Sequence, residues 1–192
     1  MPFISKKRFY DIHLAYLPSI SLSPEIALPL IAQKLIISIP PENGNQNPRT
    51  ALYDATKHFY VDIDRLGSLS IQDLQANIII ALYELGHAIY PTVYTTIGTC
   101  ARYAQAMGIG INAKTRASMN TLRVLTSVEA EERRRAWWAI VILDRFVTIA
   151  STGRPLATAH PALGDLLPAD DEEWDHGVCS SYLYLLGWDG KL

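Results

Sequence analysis

Apolar residues along this chain recur at the three-to-four-residue spacing of helices, and no segment alternates convincingly at the two-residue period of a strand. Pro24 to Ile39 reads as a helix, with Pro24 in its first turn, Glu25 favourably placed against the helix dipole and Pro29 as a point of kinking. "PPENGNQNP", Pro40 to Pro48, is a loop on composition. From Arg49 to Gly67 the residues Leu52, Ala55, Phe59 and Leu66 stand near helical spacing. Ser70 opens the next helix as an N-cap with Asp73 at its third position. That helix, Ile71 to about Tyr90, is apolar on nearly every side through "IIIALYEL", the pattern of a buried helix. Pro91 is expected to end it and to start another, from about Thr92 to Met107, stopped by Gly108 and Gly110. "NAKTRASMNTLRVLTS" reads as a connection holding a short helix. The pattern predicts an all-α protein, a single multi-helix packed array with at least five helices.

The last long helix is the most informative. "TSVE", Thr126 to Glu129, matches a capping box, and the helix is expected to run to about Ala150. Glu129 and Arg133, and Glu131 and Arg135, are spaced i,i+4 with the acid N-terminal, so "EERRR" reads as a solvated, paired first turn. Trp137 and Trp138 differ by about 100° around the axis, and burying both requires at least two packing neighbours. An ionised Asp144 in the following apolar run needs a partner. Arg154 in "TGRP" is the nearest candidate in sequence, which predicts that Asp144 and Arg145 pin the Gly153-Arg154-Pro155 loop onto the helix. Beyond it, "HPALGDLLP" and "ADDEEWD" carry loop chemistry throughout.

Composition narrows the classes. The chain has 192 residues, 49% hydrophobic and 19% charged, which is ordinary for one globular domain and too apolar for disorder. A net charge of -2 provides no overall basic field for DNA or anionic membrane. Its two cysteines, Cys100 and Cys179, lack metal-ligand spacing and suit a reducing compartment better than a disulfide framework. The N-terminus shows no clean secretory h-region. The apolar runs "ANIIIALY" and "AWWAIVIL" fall well short of the roughly 20 residues of a spanning helix. A soluble, intracellular protein without membrane contact is expected.

In order along the chain, "EAEERRRAWWAIVILDRFVTIASTGRPLA" and "LLPADDEEWD" resemble the signature of the fungal-specific transcription factor domain, the middle homology region of fungal zinc-cluster regulators. The matching elements are Glu132 to Arg135, the pair Trp137 and Trp138, Asp144 and Arg145, Gly153 to Pro155, and Leu167 and Pro168. "ALYELGHAIYPTVYTTIGTCARYAQAMGI" and "PFISKKRFY" are similar to further parts of that domain. The resemblance covers residues 1–176 as a regulatory domain and leaves 177–192 as a divergent tail, and both ends are expected to be cut short relative to the family. It implies an all-α regulatory domain of a nuclear transcription factor, working through protein partners and in some cases a small-molecule effector. In that family a six-cysteine zinc cluster binds DNA. This chain has no such cluster, so no cofactor is expected in it, and DNA contact is expected only through a module it lacks. The structural signature then consists of Arg135, Trp137, Trp138, Asp144, Arg145, Gly153, Arg154 and Pro155.

Other readings compete. "ELGH" places Glu84 and His87 at i,i+3 as in di-iron bundles, but those need a second such pair and two more glutamates, and a buried polar pair or helix-end histidine explains the spacing better. "DDEEWD" is similar to the acidic Mg²⁺ motif of helical prenyl-transferring enzymes, yet it has no second acidic partner and reads as a solvated acidic turn. No phosphate loop, GxSxG elbow or HExxH occurs, and no catalytic residue is expected. His58, His160 and His176 stand isolated. A plain all-α interaction scaffold remains the alternative to a regulatory domain, with a helical metal-dependent enzyme behind it. A cavity between the helices would favour effector sensing, and a filled bundle would favour the scaffold.

Overall fold

The computed structural model describes residues 2–14, 24–38, 47–67, 69–110, 125–149, 153–163 and 165–176. The connection around residues 111–124, expected to hold a short helix, and the tail with Cys179 lie outside them. Among the described residues there are seven helices and no sheet: α1 Lys6–Leu14, α2 Pro24–Ile37, α3 Ala51–Arg65, α4 Ile71–Gly86, α5 Thr92–Ala106, α6 Ser127–Ile149 and α7 Asp171–Asp175. The all-α packed array read from the pattern is the fold observed. Helix α2 runs through Pro29.

Helix α4 is the centre of the array because it is apolar on two opposite sides. Leu74, Ile78 and Ala81 join Val93, Ile97 and Cys100 of α5 and Ala136, Ile140 and Leu143 of α6 in one core. Ala76, Ile79, Ile80 and Tyr83 join Leu28, Ala32 and Leu35 of α2 and Tyr53, Tyr60 and Ile63 of α3 in a second core. Each large aliphatic side chain so buried contributes about 1.5–3 kcal/mol of transfer free energy, which is why the all-round apolar helix takes the middle place.

The start signals read from the sequence hold. The Ser70 hydroxyl accepts from the Asp73 amide at 3.0 Å, and Ser70 N–H donates to the Tyr103 hydroxyl at 3.0 Å. At α6 the box is reciprocal: the Glu129 amide donates to Thr126 Oγ1 at 3.2 Å and the Thr126 amide to Glu129 Oε2 at 3.1 Å.

One expectation fails. Helix α4 stops at Gly86 rather than near Tyr90, because Ala88 takes a left-handed φ of 53°. Ile89 N–H then reaches back to Glu84 C=O at 2.8 Å and Ala88 N–H to Leu85 C=O at 3.2 Å, the hydrogen-bond pair of a Schellman stop. Glycine normally fills that position, so an alanine there concealed the end. In α3 the buried face is Tyr53, Thr56, Tyr60 and Ile63, while Ala55 and Leu66 are exposed.

Helix α5 ends in the same kind of stop, this time on Gly108 at φ 74°. Gly110, at φ 73°, lies against the indole of Trp137, and a Cβ there would overlap the ring. At Gly108 a Cβ would meet nothing within 4 Å. Gly108→Ala is therefore expected to cost only the left-handed backbone strain of about 1 kcal/mol, whereas Gly110→Ala adds the clash and should cost at least about 2–3 kcal/mol. Urea unfolding of the two variants checks the difference; equal losses would mean that Trp137 does not close over Gly110.

Candidate functional site

The signature residues of the long helix α6 meet a strap formed by residues 153–163 and 165–176, which runs antiparallel along it. The deepest anchor is Arg135, fully buried at 0% exposure. Its Nε donates to Glu131 Oε1 at 2.9 Å. Nη1 donates to Pro2 C=O at 3.0 Å and to Asp171 Oδ1 at 2.6 Å. Nη2 donates to Ala169 C=O at 2.6 Å and Asp170 C=O at 3.3 Å. The guanidinium also lies 4.7 Å from the centroid of the buried Trp174 ring. All five N–H donors of the fork are thereby used. Glu131, equally buried, accepts the Ala169 amide at 2.8 Å on the same oxygen and Arg134 on the other.

Here the structure corrects one reading and extends another. "EERRR" is not a solvated first turn: Glu131, Glu132 and Arg135 are buried. The i,i+4 spacing of Glu131 and Arg135 does form an ion pair, but inside the protein, because the strap closes over it. "DDEEWD" is a solvated acidic turn, with Asp170, Asp171, Glu172 and Asp175 exposed, but it also anchors. It forms the short helix α7, with the Asp170 side chain accepting from the Glu172 amide at 2.8 Å, Asp171 on Arg135 and Trp174 beneath the guanidinium.

The second anchor is Asp144, 1% exposed. Oδ1 accepts from the Ala157 amide at 3.1 Å, and Oδ2 accepts from the Thr158 amide at 2.8 Å, the Thr158 hydroxyl at 2.7 Å and Arg145 Nη1 at 3.0 Å. Arg145 Nη1 also donates to Thr158 Oγ1 at 2.6 Å, and Nη2 to Ala159 C=O at 2.9 Å. So Asp144 and Arg145 do hold the segment after the helix, but the groups they hold are backbone amides, a hydroxyl and a carbonyl three to five residues beyond Arg154. Amides satisfy a buried carboxylate without introducing a second charge that must itself be desolvated. Arg154 instead stacks on Tyr94, 5.0 Å from its centroid, and Tyr94 OH donates to Pro155 C=O at 2.8 Å. Gly153 turns the chain at φ 87°.

Both tryptophans are only partly buried. Trp137 packs on the α4–α5–α6 core and on Gly110, while Trp138 donates its indole N–H to Leu166 C=O at 2.9 Å, between the two anchors. Helix α6 thus meets α4 and α5 on one side and the strap on another, the two-neighbour packing that the adjacent tryptophans required.

A third anchor was not legible in the sequence. Glu132 accepts from the Ser5 amide at 3.0 Å and pairs with Arg8, and Gln75 Nε2 donates to Phe3 C=O at 2.8 Å, which fixes the segment before α1 on α6 and α4. Burial pushes the Glu132 carboxyl above its ordinary value of 4.5, against the opposing pull of Arg8 and the Ser5 amide. Only the long-range contact, 127 residues apart in sequence, reveals this role.

Glu84 and His87 engage different partners. Glu84 Oε1 accepts from Tyr53 OH at 2.8 Å and Lys57 Nζ at 3.0 Å, while the His87 ring stacks on Tyr83 with Nδ1 2.8 Å from Tyr83 C=O. Among the described residues no three His, Cys, Asp or Glu side chains gather as metal ligands, and no helix is long and apolar enough to cross a membrane. A cleft of about 140 Å³ opens between Arg8, Ser70, Met107 and Arg133.

Asp144→Ala strands two backbone amides and Arg145, and should cost about 3–5 kcal/mol in urea unfolding; a midpoint equal to wild type would refute the brace. Arg135→Lys keeps the charge but not the fork and should also cost at least about 3 kcal/mol. Glu132 has a folded-state pKa above its unfolded value. Its contribution is therefore present below the ordinary carboxylate range and is lost as pH rises through the folded value. Glu132→Gln should remove that part of the stability slope, read by urea melts from acidic to neutral pH. An unchanged slope would show that Glu132 does not cause it.

Residues 1–179 match the fungal specific transcription factor domain. Transcription factor BOA15 of Botryotinia fuckeliana strain B05.10 is 33% identical over 135 residues, covering 70% of this chain and 72% of the relative. The notoamide biosynthesis cluster transcriptional coactivator notQ' of Aspergillus versicolor is 30% identical over 130 residues, 62% of this chain and 26% of that protein. The arabinolytic transcriptional activator araR of Emericella nidulans is 36% identical over 74 residues, 35% of this chain and 9% of its own length. The chain thus spans most of the first relative but about a quarter or less of the other two. No solved structure matches. With the match running from the first residue through the α6 anchors and the strap they hold, the chain belongs to the family of the fungal specific transcription factor domain.

Proposed function

We propose that this chain is a regulatory domain of fungal transcription, acting in the nucleus through protein partners and reaching DNA only through a separate module. The family match over residues 1–179 carries the reading. The relatives' names support it, since they describe a transcription factor, a transcriptional coactivator and a transcriptional activator. Charge supports the second half. A chain of net charge -2 has no basic field for phosphate, and Arg8, Arg134, Arg135 and Arg145 are each tied to a carboxylate within the fold. The domain is not an enzyme in this reading: the buried ionisable groups of α6 hold the strap and the N-terminal segment, and none is poised for chemistry.

Two measurements test the proposal. Fused to a heterologous DNA-binding module in a fungal reporter strain, the chain should change transcription from the cognate promoter, and Asp144→Ala should abolish the change by unfolding the brace. No effect on the reporter in either direction would refute a regulatory role. Titrated against random-sequence duplex at low salt, the unfused chain should bind no more tightly than about 10⁻⁵ M. Tight, salt-dependent binding would show that the chain contacts DNA itself.

A further inference from the structure

Two segments far apart in sequence meet α6 at neighbouring residues. Glu132 and Arg135 hold residues 2–9, through the Ser5 amide at 3.0 Å and Pro2 C=O at 3.0 Å. Glu131 and Arg135 hold residues 165–176 of the strap, through the Ala169 amide, the carbonyls of Ala169 and Asp170, and the Asp171 carboxylate. Arg135 holds both at once. Its Nη1 alone donates to Pro2 C=O and to Asp171 Oδ1.

Neither segment has much apolar burial of its own. Among residues 2–9 only Ser5 is buried, with Phe3 and Ile4 half-buried against the cores. Among residues 165–176 only Ala169 and Trp174 are buried. Helix α4, by contrast, is buried through most of its length. Segments with few buried apolar contacts open locally at a lower cost than the whole fold. Docking of these two rests on polar bonds to α6, and the strength of those bonds depends on excluding water. With the strap in place the guanidinium is dry, so its bond to Pro2 C=O is charge-assisted and uncontested. With the strap lifted, water reaches Nη1 and competes with that carbonyl. Lifting residues 2–9 admits water to the same nitrogen and weakens its hold on Asp171.

We propose that residues 2–9 and residues 165–176 are two halves of one latch, which opens and closes as a unit on α6 while both apolar cores stay folded. Arg135 is the residue that couples the halves. Whatever lifts the strap loosens the N-terminal segment, and by linkage the reverse coupling has the same size. A protein partner that prefers one half undocked therefore frees the other without touching it. The coupling is a property of the folded chain and holds whether or not the domain regulates transcription.

Native-state hydrogen exchange of single amides, followed by NMR on the 192-residue chain, tests the latch. In the wild-type chain the amides of Ser5, Phe9 and Ala169, bonded to Glu132, Ser5 C=O and Glu131, should share one opening constant and one shallow urea dependence. Amides in the middle of α4 should open more rarely and with a steeper urea dependence. Asp171→Ala alters only the strap half, yet should speed exchange about tenfold at Ala169 and by the same factor at Ser5 and Phe9. Arg8→Ala takes the N-terminal segment off Glu129 and Glu132, and should speed Ser5, Phe9 and Ala169 by a common factor. The α4 amides should keep their wild-type rates in both variants. Faster exchange confined to the altered half would overturn the proposal, because the segments would then open independently. An equal rise at the α4 amides would also sink it, since opening would then be unfolding of the whole chain. Should a variant fail to fold, the wild-type urea dependence decides alone: unequal slopes at Ser5 and Ala169, or slopes equal to those of α4, refute the latch.

Discussion

The guanidinium of Arg135 joins three parts of the chain that are far apart in sequence. Its five donors reach the first residues at Pro2, the same helix at Glu131, and the strap at Ala169, Asp170 and Asp171. Only arginine can do this, because its planar fork holds five donors in fixed directions and stays charged. Burying that charge is expensive, and the cost is offset only when the whole set of acceptors is in place. The interaction is therefore cooperative: losing Pro2, the strap or Glu131 leaves the others facing an uncompensated cation. Trp174 closes the stack from beneath and excludes water from the pair.

Asp144 repeats the same logic with the opposite sign. A carboxylate buried in an apolar helix gathers backbone amides from Ala157 and Thr158, a hydroxyl from Thr158 and one guanidinium from Arg145. Between the two anchors Trp138 fixes the strap at Leu166. A segment with almost no regular secondary structure is held by side chains of a helix, since its backbone groups have few partners of their own. This explains why the charged and aromatic residues of α6 interrupt its apolar run. Glu131, Arg135, Trp138, Asp144 and Arg145 are the partners of the strap, and Ala136, Ile140 and Leu143 between them pack against α4 and α5.

Much of this could be read along the chain. The helix starts at Ser70 and Thr126 were legible because capping is local: the hydroxyl, the amide and the carboxylate lie within four residues. The central place of α4 followed from its all-round apolarity. The stop at Ala88 was hidden because an alanine occupies a left-handed position that sequence rules assign to glycine or asparagine. On α3 the helical spacing of Leu52, Ala55, Phe59 and Leu66 was legible, but which residues are buried, Tyr53, Thr56, Tyr60 and Ile63, was set by packing in the core shared with α2 and α4.

The sequence by itself determined the fold class, the helix starts and the need of Asp144 for a partner, because propensity, capping and the cost of an isolated buried charge act over a few residues. The signature also carried the family. Tertiary structure alone decided which partners were chosen: amides of Ala157 and Thr158 rather than Arg154, and a buried rather than solvated Glu131–Arg135 pair. The docking of Ser5 and Arg8 on Glu132, and the reach of Tyr53 and Lys57 to Glu84, were likewise settled only in three dimensions. Those contacts join residues tens to more than a hundred positions apart, and no local spacing encodes which face of one helix another segment will cover.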